Sequence, residues 1–368
     1  RKKLKWKYKP FEIPKEILDE WRKIGEKGVL HEKKWNKIYN KKSKKIKDEF
    51  SRVINDKLPN SFGKIIYEQK SKFFDLKNDI ASRQSSASVL EGITNNLPEL
   101  IGGSADLSGS NNTNTKYSKI IKPSNFNGNY IHYGVREHAM AGIMNGIALH
   151  GGFIPYGGTF LVFSDYMRPG MRLSALMRKR IIYVLTHDSI GLGEDGPTHQ
   201  PVETLAALRA IPNLTVFRPC DAVETLECWE ESIKNDEGPS GIVLTRQPLP
   251  AMRVKYSSGN KCKRGAYVLF EASSGFENRM VSLIASGSEV AIAAEARIIL
   301  EKRNINTAVI SIPSFELFEA QNKKYHLRTL GENSLRVGIE AAVRLGWDSY
   351  LRQNYIFIGM STFGASGP

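Results

Sequence analysis

The chain has 368 residues, 41% hydrophobic and 25% charged, the balance of an ordinary folded protein with room for two or three domains. No run of about 18 apolar residues occurs, so no membrane-spanning helix and no membrane partner are expected. The formal net charge of +15 raises nucleic acid as a partner, but the excess is local: residues 1–72 hold 23 basic and 10 acidic side chains, and the remainder hold 30 and 28.

That first segment is read as a basic helical interdomain linker over residues 1–80. Its stretches PKEILDEWRKIGEK and KWNKIYNKKSKKIKDEFSRVI place Trp35, Ile38, Ile46, Phe50 and Ile54 at roughly helical spacing. It shows no recognisable nucleic-acid module and no interleaved stacking aromatics, so a solvated face is expected there and no nucleic-acid partner. The chain opens on Arg1 without an apolar leader, which suggests an internal start.

Over 81–255 short apolar runs (Glu99–Gly102, Ile181–Thr186, Thr215–Phe217, Ile242–Thr245) alternate with helical stretches at 138–150, 170–179, 201–210 and 222–234. Strand alternating with helix predicts an α/β domain with a parallel sheet, whose ligand loops lie beyond the carboxyl ends of the strands. A second α/β domain is expected over 256–368. RGAYVLF, VSLIAS, NTAVISI and RVGIE read as strands, and 288–303 as an amphipathic helix capped by Ser286 or Ser288. Its last residues, TFGASGP, form no closing element, so this domain reads as incomplete. Three cysteines (Cys220, Cys228, Cys262) suit neither a disulfide framework nor a zinc site, and a reducing, cytoplasmic setting is expected.

Three segments carry chemistry. In GNYIHYGVREHAMAGIMNGIALHGG a strand turns into a helix at Glu137, with Ala139, Met140, Ile143 and Met144 behind it. That is an apolar setting in which a carboxyl group can hold or share a proton; a carboxylate that merely favours the helix start is the plainer alternative. In GGTFLVFSDYMRPGMR, Phe160, Phe163 and Tyr166 recur every three residues, one aromatic face on a helical turn, though such stripes are commonly core. The loop THDSIGLGEDGPTHQP gathers His187, Asp188, Glu194, Asp195 and His199 among glycines directly after the strand IIYVLT. Titratable groups in such a loop point to a ligand site.

These segments, in this order, resemble the pyrimidine-binding domain of transketolases. The likeness continues through ELIGGSADLSGSN, RPCDAVET and LTRQPLP to ASGSEV and STFGASGP, and KWNKIYNKKSKK and LPNSFG resemble the family's interdomain connection. The resemblance implies transfer of a two-carbon ketol unit from a ketose phosphate to an aldose phosphate, in pentose phosphate metabolism, with thiamin diphosphate and Mg²⁺ as cofactors. Glu137 would bond the ring nitrogen of the aminopyrimidine, and Phe160, Phe163 and Tyr166 would form its pocket, with Asp106 nearby as a cofactor-binding residue. Arg83, Ser110, His187 and Arg246 would hold the sugar's phosphate. Asp195 and His199 would contact hydroxyls near the reacting carbons, which makes Glu137, His187 and His199 the candidate catalytic residues.

The family's metal-binding GDG motif is missing; GEDG at 193–196 belongs to the substrate loop. No metal ligand is therefore assigned in this chain, and no ketol transfer is expected of it alone. A homodimer with the site shared against a diphosphate-binding domain is implied. Dihydroxyacetone synthase, a split-subunit transketolase, and a non-catalytic module docking an anionic partner by its basic arm remain alternatives.

Overall fold

A computed structural model describes residues 1–76, 78–192, 195–351 and 356–365. The chain divides into two compact units, meeting in sequence at Asn55 and Asp56. The first holds helices Lys15–Asn40 and Lys44–Ile54, the second capped by Ser43 Oγ, which accepts from the Ile46 amide at 3.4 Å. Trp35 stacks on Tyr39 at 4.9 Å, and Phe50 packs against both rings, which joins the two helices. No residue of either helix is buried within this unit.

The second unit carries two sheets. Strands β1 (Ile80–Ala81), β2 (Leu100–Ser104), β3 (Tyr130–His132), β4 (Ile154–Phe160), β5 (Ile182–Thr186), β6 (Thr215–Phe217), β7 (Ser240–Leu244) and β8 (Pro248–Leu249) come first. Six of them form a wholly parallel sheet in the order β3-β2-β4-β5-β7-β6. Its central strands are buried on both faces, as a parallel sheet between helices must be. Ile182, Val184, Ile242 and Leu244 meet helices Phe62–Phe74, Ser82–Thr94 and Ala222–Lys234. Tyr183, Leu185 and Val243 face the other way, towards Met140 and Met144 of helix Glu137–His150 and Met167 and Met171 of helix Ser164–Leu176. The expected apolar setting of Glu137 is thus half correct: Met140 and Met144 are buried, whereas Ala139 and Ile143 lie on the exposed side of the helix.

Helix Phe62–Phe74, inside the segment expected to be linker, packs into this unit. Lys70 is buried and paired with Glu227 at 2.6 Å, and Glu227 also meets Arg253 at 2.7 Å.

The second sheet is built of β9 (Tyr267–Phe270), β10 (Val281–Ala285), β11 (Thr307–Ser311), β12 (Leu335–Ile339) and β13 (Ile356–Ile358), in the order β13-β12-β10-β11-β9. It is parallel except for β9, which runs antiparallel to β11. An α/β chain with a parallel sheet followed by a second α/β element is what the pattern predicts. The long helix here runs Glu289–Lys302, with Ser288 at its N-cap. Among the described residues, no helix is long and apolar enough to cross a membrane.

Candidate active site at the carboxyl edge of the parallel sheet

Strand order reverses between β2 and β4: the chain leaves β2 for the edge strand β3, then returns to β4 on the other side. Loops diverge above such a point and leave a crevice at the carboxyl ends of the strands. Register decides what meets there. Ser104 of β2 lies opposite Gly158 of β4, Phe160 opposite Thr186 of β5, and Thr186 opposite Leu244 of β7. His187, the residue after Thr186, therefore emerges beside Phe160, and the two rings stack at 3.7 Å with a tilt of 26°.

The aromatic trio is brought together, but not on one helical turn. Phe160 ends β4, Phe163 closes a single 3₁₀ turn (Leu161–Phe163), and Tyr166 lies in the helix that follows. Phe160 and Phe163 are near parallel, 5.5 Å apart, and Phe163 meets Tyr166 at 5.9 Å. His199 places its ring edge-on to both phenylalanines, at 6.1 and 5.3 Å. Tyr166 is 66% exposed and Phe160 only 7%, so the ladder runs from core to surface.

Glu137 opens its helix from the neighbouring strand–helix turn. It is 6% exposed and, among the described residues, accepts one hydrogen bond, from the Thr159 hydroxyl at 3.3 Å. Thr159 sits one residue before Phe160, so the carboxylate and the ring ladder are fixed by the same strand. A buried carboxylate with a single partner has acceptor capacity left over. Beside a stacked aromatic pair, it suits a flat, nitrogen-bearing ring.

A second group of residues converges on His187. β1 pairs antiparallel with β8, which brings the start of helix Ser82–Thr94 against the segment after β7. Ser82 Oγ accepts from the Thr245 amide at 2.8 Å, and so Arg83 and Arg246 become neighbours. Burial, and then the nearby positive charge of Arg246, lower the pKa of Arg83. Arg83 donates from Nη1 to the main-chain oxygen of Ser110 at 2.7 Å, while its buried Nε has no partner among the described residues. Ser110 thus enters through its backbone. Arg246 donates to the Leu192 carbonyl at 3.1 Å. Two guanidiniums drawn together with an unsatisfied donor between the chain segments suit a phosphate, which accepts from planar forks.

His187 is 3% exposed. Burial chiefly, then the charge of Arg83, push its pKa down to about 4; Arg246 and His199 act in the same direction, and Asp195 opposes them. Asp195 is exposed on the loop. Of the remaining expected residues, Asp106 is exposed after β2 and makes no side-chain hydrogen bond among the described residues. Glu194, with Gly193, lies outside the described residues.

Several residues here escaped the sequence reading. Thr159 and Thr186 are buried strand-end threonines, and Asn111 and Ser104 form a polar cluster behind His187. Polar side chains at positions where a parallel strand should be apolar were the available signal.

Comparison with known proteins points to one family along the chain. Residues 78–252 match the model of the transketolase pyrimidine binding domain, 265–368 that of the transketolase-like C-terminal domain, and 1–59 that of the transketolase thiamine diphosphate binding domain. Among curated relatives, the chain is 49% identical to a transketolase of Sinorhizobium medicae, covering 100% of this chain and 52% of that protein. It is 46% identical to one of Cereibacter sphaeroides, covering 100% and 55%. The chain thus spans about half the length of the curated relatives it matches. A crystal structure of a mutant Pichia stipitis transketolase superposes with a TM-score of 0.87 at 37% identity, covering 99% of this chain and 54% of that one. An inactive β4 tetramer of a split-gene transketolase shares the fold, with a TM-score of 0.63 at 24% identity over 77% of this chain and 90% of that one.

Proposed function

We propose that this chain, which belongs to the transketolase family, supplies the pyrimidine side and the sugar-phosphate end of a ketol-transfer site. The observation that carries the proposal is the shared strand: β4 delivers Thr159, bonded to Glu137, and Phe160, stacked on His187, in consecutive positions. One end of the crevice so formed suits a flat heteroaromatic ring, and the other, at Arg83 and Arg246, suits a phosphate.

Thiamin diphosphate, when bound, would supply the electron sink for breaking and remaking a carbon–carbon bond. Glu137 would hold a proton on the aminopyrimidine ring nitrogen, its carboxylate aimed by Thr159. Phe160, Phe163 and Tyr166 would bear the ring, with Asp106 at the rim. Arg83 and Arg246 would grip the phosphate of a ketose or aldose phosphate, alongside Ser110 and His187. Asp195 and His199, on the loop facing the ladder, would meet sugar hydroxyls, and His199 would move a proton there. The 368-residue sequence has no GDG, and we assign the diphosphate and its Mg²⁺ to residues of a cofactor-binding domain seated across the crevice. Two copies would assemble through this face. A cytoplasmic role in pentose phosphate metabolism is part of the same reading, in keeping with three buried, unpaired cysteines.

The test is complementation. The 368-residue chain is mixed with the diphosphate-binding domain of a related transketolase, and two-carbon transfer between sugar phosphates is followed. Activity that needs both polypeptides, thiamin diphosphate and Mg²⁺ supports the proposal. A chain that folds and associates yet gives no transfer would leave the basic-arm docking module as the better reading.

A further inference from the structure

Behind His187 runs a chain of hydrogen bonds whose direction can be read from its backbone ends. Ser104 Oγ accepts from the Leu107 amide at 3.3 Å and donates to the Gly158 carbonyl at 3.1 Å; an amide can only donate, and a carbonyl only accept. With its proton committed, Ser104 Oγ can only accept from Asn111, so the group facing it at 3.3 Å is the side-chain NH₂. The carbonyl oxygen of Asn111 then faces Thr186, whose hydroxyl donates to it at 2.6 Å. Thr186 has thereby given away its only proton, and the contact between its oxygen and His187 Nδ1 at 2.9 Å requires an N–H on the ring. Ser104, Asn111 and Thr186 are all fully buried, so water does not compete. Gly158 makes the approach possible: a Cβ there would lie 2.7 Å from Thr113 and 3.2 Å from the Asn111 amide.

We infer that Asn111, acting through Thr186, is a positioning residue that holds His187 as its Nδ1–H tautomer, so that the ring offers the substrate a lone pair at Nε2. Nε2 takes no hydrogen bond among the described residues. The inference rests on the ketol-transfer reading only for the word substrate. It divides the labour at the phosphate end: Arg83 and Arg246 supply charge and donors, and His187 accepts. A fully ionised phosphate oxygen has no proton to give, so the partner of neutral His187 is an O–H, either a sugar hydroxyl or the P–OH of a monoprotonated phosphate. The charged groups facing the ring are Arg83, Arg246, His199 and Asp195, three basic or potentially basic against one acid. That surplus favours the neutral ring on which the tautomer argument depends.

The experiment is a long-range ¹H–¹⁵N correlation spectrum of the full chain with ¹⁵N-labelled histidine rings, at neutral pH and without substrate or cofactor. His187 is assigned by the signals lost in His187→Gln. The expected pattern is a protonated Nδ1 and an unprotonated Nε2. Asn111→Ala frees the Thr186 hydroxyl to donate to Nδ1, and should shift the tautomer ratio towards Nε2–H by about tenfold, the worth of one hydrogen bond. Thr186→Ser keeps the relay and should leave the pattern unchanged. An Nε2–H form in the parent chain overturns the inference, as does a pattern that neither Asn111→Ala nor Thr186→Val alters. Because no turnover is measured, the outcome is independent of whether the chain serves ketol transfer.

Discussion

Arg218 donates from Nε to Asp188 Oδ2 at 2.9 Å, and both side chains are sealed from solvent. Asp188 follows His187 in the loop above the parallel sheet, and Arg218 follows β6. The same guanidinium reaches the second sheet, donating to the Ser286 carbonyl at 2.9 Å and pairing with Glu289, while Glu340 lies 3.9 Å away. One buried cation therefore ties the His187 loop to the next domain. Its removal takes a cation from three carboxylates, of which, among the described residues, Glu340 alone keeps another, Arg209 at 2.8 Å. Arg218→Met is expected to lower stability by about 3–5 kcal/mol, as removal of one partner of a buried pair does. The check is the urea midpoint, and a loss under about 1 kcal/mol would mean that the carboxylates find other partners.

His187 gives a pH prediction with a definite sign. Its pKa of about 4 in the folded chain lies below the value near 6.5 expected when unfolded. Between those values the unfolded chain binds the proton and the folded chain does not, so stability falls as pH drops from about 6.5 towards 4. The contribution is intact above that window. Rearrangement of the pocket around a protonated ring reduces the full effect, and a loss of about 1–3 kcal/mol is expected. Subtracting the His187→Gln denaturation profile from that of the parent isolates this residue. A flat difference across the window would refute the assignment.

Glu137→Gln keeps the size of the side chain and its bond from Thr159, but cannot hold the carboxyl proton. In the complemented enzyme, ketol transfer should fall by about 10²–10⁴-fold. Thermal unfolding of the chain should barely change. Parent-like turnover would reduce Glu137 to a helix-start carboxylate.

In the proposed site Arg83 would grip the phosphate away from the reacting carbons, so its contribution would be mostly uniform binding. Arg83→Ala is expected to raise KM for a sugar phosphate more than it lowers kcat. Steady-state kinetics with a phosphorylated and an unphosphorylated sugar would separate the cases, because the second substrate should hardly notice the change.

Self-association should use the exposed apolar residues on and beside helices Glu137–His150 and Ser164–Leu176. Val135 is 77% exposed, Leu176 66%, Leu173 47% and Ile143 46%, a density unusual for a face that stays wet. Leu176→Glu is expected to turn a dimer into a monomer in sedimentation. Parent and variant of equal mass in solution would place the contact elsewhere.

Much of this fold was legible because parallel strands are apolar on both faces and carry their functional loops at one end. The helix Ala222–Lys234 and the strand Thr215–Phe217 fall where the pattern places them. Resemblance and pattern together also reached the residues of the crevice, since GVREH and the 187–199 loop are unusual strings. Three things stayed hidden. Periodicity assigned Phe160 to a helix, because residues three apart look alike whether the backbone is one helix or a strand end, a 3₁₀ turn and a helix in succession. The relay of Thr186, Asn111 and Ser104 depends on strand register, which brings together side chains far apart in the chain and leaves no local trace. The reversed direction of β9 was equally silent, for an apolar run reads the same in either direction.

Asp106 adopts φ +64, a left-handed conformation, and its exposed side chain bonds to nothing among the described residues. An L-residue in that region carries a cost of about 1–2 kcal/mol that glycine escapes. Glycine's greater freedom in the unfolded chain returns about 0.4–1 kcal/mol of that difference. Asp106→Gly should therefore leave the fold as stable or slightly more so. Directed evolution for heat tolerance alone would find this substitution harmless and keep it, and would discard the carboxylate proposed for the pocket rim before touching the core. Laboratory selection on this scaffold needs to score turnover from the first round.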